Sequence, residues 1–395
     1  MQKICFSLLV LFSAAAQTPR TIPFEFYGNA VWLEARVNGS RPLHFLLDTA
    51  AVSCVLNRSV ADELKLPIAT EFDQPNAGAG DRPTHIDIVP SVKIEFAGNL
   101  LDLPQIPALP LDEVARAYGA SLDGILGREL PARYVTRIDY DSRTLVLYEP
   151  EKFVYAGRGN ALPLEVRNGV PVVKARFSLP GKGALEGEFL VDAPFPGVVQ
   201  FATPFIRDHD LLTAARALTS RLIPAAGVGV GGPSARQDGR IEWIELGGYT
   251  LKLPLAEFAE AKAGAFARTD IAGILGGELF RRFVVTLDCP HGRMFLEPSR
   301  QFDDAFDYDA SGMAIKSTGP SHRAFVVAAV VDGTPAAESG IRQDDAILEL
   351  DGRPAAALTA WSIRTELKKP GSDHTIKLRR GLSELTVKIQ TRRLI

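Results

Sequence analysis

The sequence predicts a mainly β protein: two copies of one strand-rich unit, then a smaller α+β unit. Three observations carry this expectation. Short runs of Val, Leu, Ile and Phe are separated by Gly, Pro, Asn and Asp along most of the chain, the pattern of strands joined by turns. One set of landmarks occurs twice, in the same order, before residue 299, and the character of the chain changes after it. At 395 residues the chain has room for two or three domains, and its 46% hydrophobic and 23% charged residues are ordinary for a globular protein.

The N-terminus reads as a targeting segment. Lys3 supplies a positive start, Ile4 to Phe12 an apolar run, and Ser13-Ala14-Ala15-Ala16 the small residues of a cleavage site, so residues 1–16 are expected to be a signal peptide. The apolar run is too short to span a bilayer. The mature protein is therefore expected to be exported, periplasmic or extracellular, and without a membrane span. Export permits disulfides. Cys54 and Cys289 nevertheless sit at non-equivalent positions of the two copies, so a bridge between them is open but disfavoured against two buried free thiols.

The first copy is placed at residues 20–150 and the second at 160–298. Ile22-Pro23-Phe24-Glu25-Phe26 opens one, and Leu162-Pro163-Leu164-Glu165-Val166 opens the other. A strand ending in Ala-Arg follows in each, then a turn with Gly, at Asn38-Gly39 and from Gly181 to Gly183. Next comes an apolar strand ending in an aspartate: Phe45-Leu46-Leu47-Asp48-Thr49-Ala50 in the first copy, Phe189-Leu190-Val191-Asp192-Ala193-Pro194 in the second. Short helices are expected at Leu111 to Tyr118 and Leu211 to Leu222. Asp123-Gly124-Ile125-Leu126-Gly127-Arg128-Glu129-Leu130 is then matched by Ala272-Gly273-Ile274-Leu275-Gly276-Gly277-Glu278-Leu279. Similar order with drifting spacing indicates duplication with loop insertions rather than a solenoid.

Residues 299–310 are acidic and aromatic and read as a linker or edge segment. The last unit, 311–394, is expected to contain strands at Met313 to Ser317, Phe325 to Val331, Ala346 to Leu350, His374 to Arg379 and Leu385 to Ile389. A helix is expected from Thr359, its N-cap, to Lys368.

Several function classes are disfavoured. A net charge of −3 leaves no basic footprint for nucleic acid. The six histidines form no His-Glu-x-x-His pattern, and no metal or cofactor is expected. No Gly-Asn-Ser-Gly-Gly loop of the trypsin-like enzymes is present.

The repeated strand-Asp pattern, with a later Ile-Leu-Gly, resembles the retropepsin and pepsin-like aspartic peptidases over residues 20 to 298. The resemblance implies a two-lobed β-barrel unit with Asp48 and Asp192 facing one another. Two such carboxylates cannot both ionise cheaply, so they share a proton and serve as acid and base toward water and a peptide carbonyl. It also implies that Thr49 bonds across to the opposite loop, that the Ala50 N–H points at the carboxylate, and that both Ile-Leu-Gly segments pass behind the catalytic loops. The second loop departs from the family: Ala193 has no hydroxyl and Pro194 no N–H. Gly78 and Gly80 in the first copy, and Gly229 and Gly231 in the second, are candidates for glycine-rich flaps. The expected function is an aspartic endopeptidase acting on a peptide or protein substrate. The alternative is a catalytically impaired pseudo-protease that binds peptides or serves as a scaffold, and a third reading is a purely structural envelope protein.

Residues 311–394 resemble a bacterial PDZ domain, carried by Asp332-Gly333-Thr334-Pro335-Ala336-Ala337-Glu338-Ser339-Gly340-Ile341 and the stretch from Asp344 to Gly352. This implies capture of an extended C-terminal peptide beside a sheet edge and a helix. Gly312-Met313-Ala314-Ile315 would be the carboxylate-binding loop, and Thr359 would begin the groove helix. The other reading of this unit is a prop packed on the protease lobes.

Overall fold

A computed structural model describes residues 20–75, 78–219 and 221–395. The expected signal peptide lies outside the described residues. The two copies meet in a shared six-stranded sheet. Arg20–Pro23, Thr144–Tyr148 and Val135–Asp139 come from the first, and Phe283–Asp288, Arg293–Pro298 and Asn160–Pro163 from the second, in that spatial order. The seam is antiparallel, Thr136 opposite Leu287 and Asp139 opposite Val284. The order on one side of the seam mirrors the other, as two equivalent units related by a pseudo-twofold require.

Each copy folds its remaining strands into its own sheet, one of eight strands from the first copy and one of ten from the second. Their surfaces explain the sequence patterns. Ala30–Val37 alternates buried and exposed along its second half, whereas Leu43–Leu47 is apolar apart from the half-buried His44 and otherwise wholly buried, because both of its faces are covered. At Asn38-Gly39 both residues have positive φ, 49° and 74°, the conformation of a tight hairpin turn that these two residue types favour. One continuous apolar core runs through both lobes, including Phe45, Leu47, Phe189, Val191 and Phe283.

The C-terminal unit has its own sheet, in spatial order Met313–Thr318, Ala324–Val330, Ala346–Leu350, Asp373–Arg380 and Ser383–Gln390, and its own core around Phe325, Val327, Ile363 and Leu378. The helix Ala360–Leu367 starts with a reciprocal cap: Thr359 accepts from the Ser362 N–H and Ser362 from the Thr359 N–H.

Residues 299–310 are held down on the second lobe. Arg282, fully buried, donates to the carbonyls of Gln301, Phe302, Asp304 and Ala305, and its guanidinium lies 3.7 Å from the centre of the Phe306 ring. Tyr308 donates to Asp238 at 2.9 Å. Among the described residues, Cys54 and Cys289 are buried and unpaired.

Candidate active site

Each aspartate stands at the end of a strand that runs parallel to an Ile-Leu-Gly segment. Phe45, Leu46 and Leu47 pair with Gly124, Ile125 and Leu126; Phe189 to Asp192 pair with Gly273 to Gly276. The Asp48 N–H continues the first ladder by donating to the Leu126 carbonyl at 2.9 Å. Glycine is required behind the loops: a Cβ on Gly124 would enter the Phe45 ring, and one on Gly276 would enter Phe195.

The two carboxylates are half-buried, and their hydrogen bonding is unequal. Asp48 Oδ1 accepts from the N–H groups of Ala50 and Ala51, both at 2.9 Å. Asp192 Oδ1 accepts only from the Phe195 N–H, at 3.1 Å, because Pro194 has none to offer. Burial pushes the Asp48 carboxyl up to about 6, against the two N–H bonds that favour its charged form. Burial, then the negative charge of Asp48, push Asp192 well above the usual carboxylate range, with one N–H bond opposing them. The two groups therefore feel one another, and Asp192 is the one disposed to keep a proton.

Thr49 is fully buried and ties the loops together. Its hydroxyl donates to the Val191 carbonyl at 2.5 Å and accepts from the Ala193 N–H at 3.0 Å. Ala193 cannot return the contact. Two other first-lobe side chains hold the second loop instead. Tyr118 donates its hydroxyl to the Pro194 carbonyl at 2.5 Å, and Asn29 donates to the Pro196 carbonyl at 2.9 Å and to Glu278 at 2.8 Å. Gly277 lies so near the Asn29 and Ala193 backbones that no side chain fits there. Tyr118 packs edge-on against Trp32, with ring centres 5.2 Å apart. Burial, and the charges of Asp192 and Asp48, push its phenol far above the ordinary value. Neither Tyr118 nor Asn29 carries a sequence signal that separates it from an ordinary helix-end or hairpin-turn residue.

The four glycines expected in flaps, Gly78, Gly80, Gly229 and Gly231, come together. The hairpin Ile223–Gly229 and Gly232–Arg240 presents Val230-Gly231 at its tip. The Gly80 N–H donates to the Val230 carbonyl at 2.8 Å and the Arg82 N–H to the Gly231 carbonyl at 2.9 Å. A Cβ on Gly78 would meet Val230, one on Gly80 the Gly231 backbone, and one on Gly229 the Ala79 Cβ at 2.7 Å. Val230 packs into the same apolar cluster as Trp32 and Tyr118. The two tips thus meet one another over the cluster that holds Trp32 and Tyr118.

The C-terminal candidates are arranged differently from a vacant peptide groove. Met313 and Ile315 point into the core and Ala314 is exposed. The Gly312 N–H donates to Asp309 at 2.5 Å and the Met313 N–H to the Ser311 hydroxyl at 3.1 Å. The Thr359 hydroxyl is engaged in its helix cap. Elsewhere, ligand atoms of Glu71, His85 and Asp87 lie within 4.8 Å of one another on a first-lobe hairpin, and Arg58, ion-paired with Asp87, supplies positive charge there.

Two strand-rich lobes with one aspartate loop each, followed by a sheet and groove helix, define an aspartyl-protease-like protein with an appended peptide-binding module. Comparison with known families agrees: residues 33–130 match the aspartyl protease family and residues 312–391 the PDZ domain family. The chain thus carries an aspartyl protease region and a C-terminal PDZ domain. Asp48 and Thr49 fall inside the matched region, whereas Asp192 lies outside it. No curated protein matches the chain.

Proposed function

We propose that this protein is an exported aspartic endopeptidase of the retropepsin-like type, in which Asp48 and Asp192 share one proton. The observation that carries the reading is the Thr49 hydroxyl, which bonds to both sides of Asp192 through Val191 and Ala193. That link keeps the two loops at one floor although the second has lost its own hydroxyl.

The unequal donors support a division of roles. Asp48, with two N–H donors, is the base; Asp192, with one, retains the proton. Asp48 takes a proton from water while the water oxygen attacks the peptide carbonyl carbon. Asp192 gives its proton to the carbonyl oxygen, forming a tetrahedral diol. Collapse of the diol returns a proton to Asp192 and delivers one from Asp48 to the leaving amine, breaking the C–N bond. Burial raises both carboxyls and Asp192 the further, so activity is expected to rise with pH above the ordinary carboxylate range as Asp48 ionises, and to fall once Asp192 also ionises. The substrate is a peptide or protein admitted beneath the flaps.

The test is cleavage of a denatured protein substrate by the purified mature chain from pH 3 to 8. Activity abolished by Asp48→Asn and by Asp192→Asn, and blocked by pepstatin, is the expected result; cleavage that survives Asp48→Asn sinks the proposal. Export is tested by fractionating cells with and without residues 1–16.

The second reading is a pseudo-protease that keeps the cleft for peptide binding. Its support is chemical: Ala193 lacks the hydroxyl and Pro194 the N–H that organise such loops. A wild-type chain without activity, together with a cleaving Ala193→Thr, Pro194→Gly variant, would establish it.

A further inference from the structure

One short helix touches a flap segment, the second aspartate loop and the PDZ domain. Asp112–Tyr118 lies between the flaps, the second aspartate loop and the PDZ domain. At its start Glu113 pairs with Arg82 of the first flap segment at 2.6 Å. At its end Tyr118 holds the Pro194 carbonyl. The last carbonyls of any helix have no partner within it and seek donors outside. Here the PDZ domain supplies them. Ser317 donates to the Arg116 carbonyl at 3.1 Å and Arg364 to the Ala117 carbonyl at 2.7 Å.

These two donors stand on the walls of the peptide groove. Ser317 belongs to the edge strand Met313–Thr318, and Arg364 to the groove helix Ala360–Leu367. Arg364 also donates to the Ile315 carbonyl at 2.8 Å, so one guanidinium joins the edge strand, the groove helix and the protease helix. Its positive charge lies at the negative end of the protease helix, where a cation is stabilising. Among the described residues no carboxylate is paired with it. The fit is close: a Cβ on Gly119 would meet the Ala360 Cβ at 2.6 Å, and Tyr27 accepts from the Trp361 N–H at 3.3 Å. The N–H groups of Gly312 and Met313 are already used by Asp309 and Ser311. The groove therefore receives the end of the protease helix.

We infer that Tyr118 is a positioning residue for the second catalytic loop, and that the PDZ groove, through Arg364 and Ser317, is the clamp that sets it. The inference rests on the dyad reading above for its catalytic meaning. It explains how a loop without the Ala193 hydroxyl and the Pro194 N–H is kept in register: the missing contacts are replaced by a hydroxyl from the other lobe, itself braced by the C-terminal domain. A peptide that enters the groove competes with the protease helix and loosens the Asp192 loop.

Two readouts on the full chain test this. Hydrogen exchange needs no activity. Arg364→Ala is expected to speed exchange in both 112–120 and 193–197, while Tyr118→Phe speeds it only in 193–197; the PDZ core strands 346–350 and 373–380 stay protected in both, which excludes general unfolding. In turnover, each variant is expected to lower kcat roughly five- to tenfold with KM changed less than about twofold, and the double variant to be no worse than the weaker single variant. Arg364→Lys, which keeps a donor, should recover part of the loss. Ser317→Ala replaces Arg364→Ala if the latter does not fold. Unchanged exchange in 193–197 for Tyr118→Phe overturns the positioning role, and unchanged exchange there for the clamp variant overturns the clamp. A chain with no Asp48-dependent cleavage overturns the dyad reading alone, because the exchange pattern still decides the clamp.

Discussion

Replacing Asp48 by Asn should stabilise the protein at neutral pH and leave it unchanged in acid. In the folded state burial raises the Asp48 carboxyl from its ordinary 3.8 to about 6. A raised carboxyl means that the folded chain binds the proton more tightly than the unfolded chain does. Its favourable contribution is complete below pH 3.8, where both states are protonated, and is lost as pH rises through about 6. The gap corresponds to at most ~3 kcal/mol. The carboxylate is half-buried and Asn accepts less strongly from the Ala50 and Ala51 N–H groups, which brings the expected gain at pH 7.5 to ~1–2 kcal/mol. Urea unfolding of wild type and Asp48→Asn at pH 4 to 8 measures it, with equal slopes confirming that only stability has changed. A difference that does not vary with pH, or a loss of stability at pH 7.5, refutes the reasoning.

Thr49→Val keeps the shape of the side chain but strands the Val191 carbonyl and the Ala193 N–H in a buried site; a loss of about 2–4 kcal/mol is expected in the same assay, and less than 0.5 kcal/mol would deny the cross-lobe bond its role. Gly80→Ala drives a methyl group into the Gly231 backbone, so the flap tips should part and limited proteolysis should cut near residues 78–82 and 229–232 faster than in wild type. Cys54 and Cys289 should both stay unreactive toward a thiol reagent in the folded protein and react only on unfolding, because burial raises both thiols; a fast-reacting thiol in the folded state would contradict the packing.

Much of this architecture is legible in the chain because it is written locally. The apolar run Phe45-Leu46-Leu47 before Asp48 marks the strand Leu43–Leu47, and Thr359 three residues before Ser362 marks a helix start. The duplication doubles the signal, since a weak motif seen twice in the same order is no longer weak. The expected helix ending at Tyr118 ends there, whereas the one expected to reach Leu222 stops at Leu218, its run broken where Thr219 turns extended. Residues 299–310 read as a linker because their acidic character hides the partner they meet, a buried arginine that gathers their carbonyls.

The residues of the chain were sufficient for the aspartyl-protease and PDZ patterns, and they single out the two aspartates, Ala193 and Pro194 and the four glycines as candidates, because each lies in a short segment whose chemistry is complete in itself. What holds the second loop is not of that kind. Tyr118 reaches Pro194 across 76 positions and Arg364 reaches Ala117 across 247, and neither has a periodicity or spacing that names its partner. Hydrophobic patterning states which face of an element is covered, but not which surface covers it. That choice belongs to the assembled lobes: only there do the unpaired carbonyls at the end of one helix meet donors from another domain, and only there does a loop lacking its own grip acquire one.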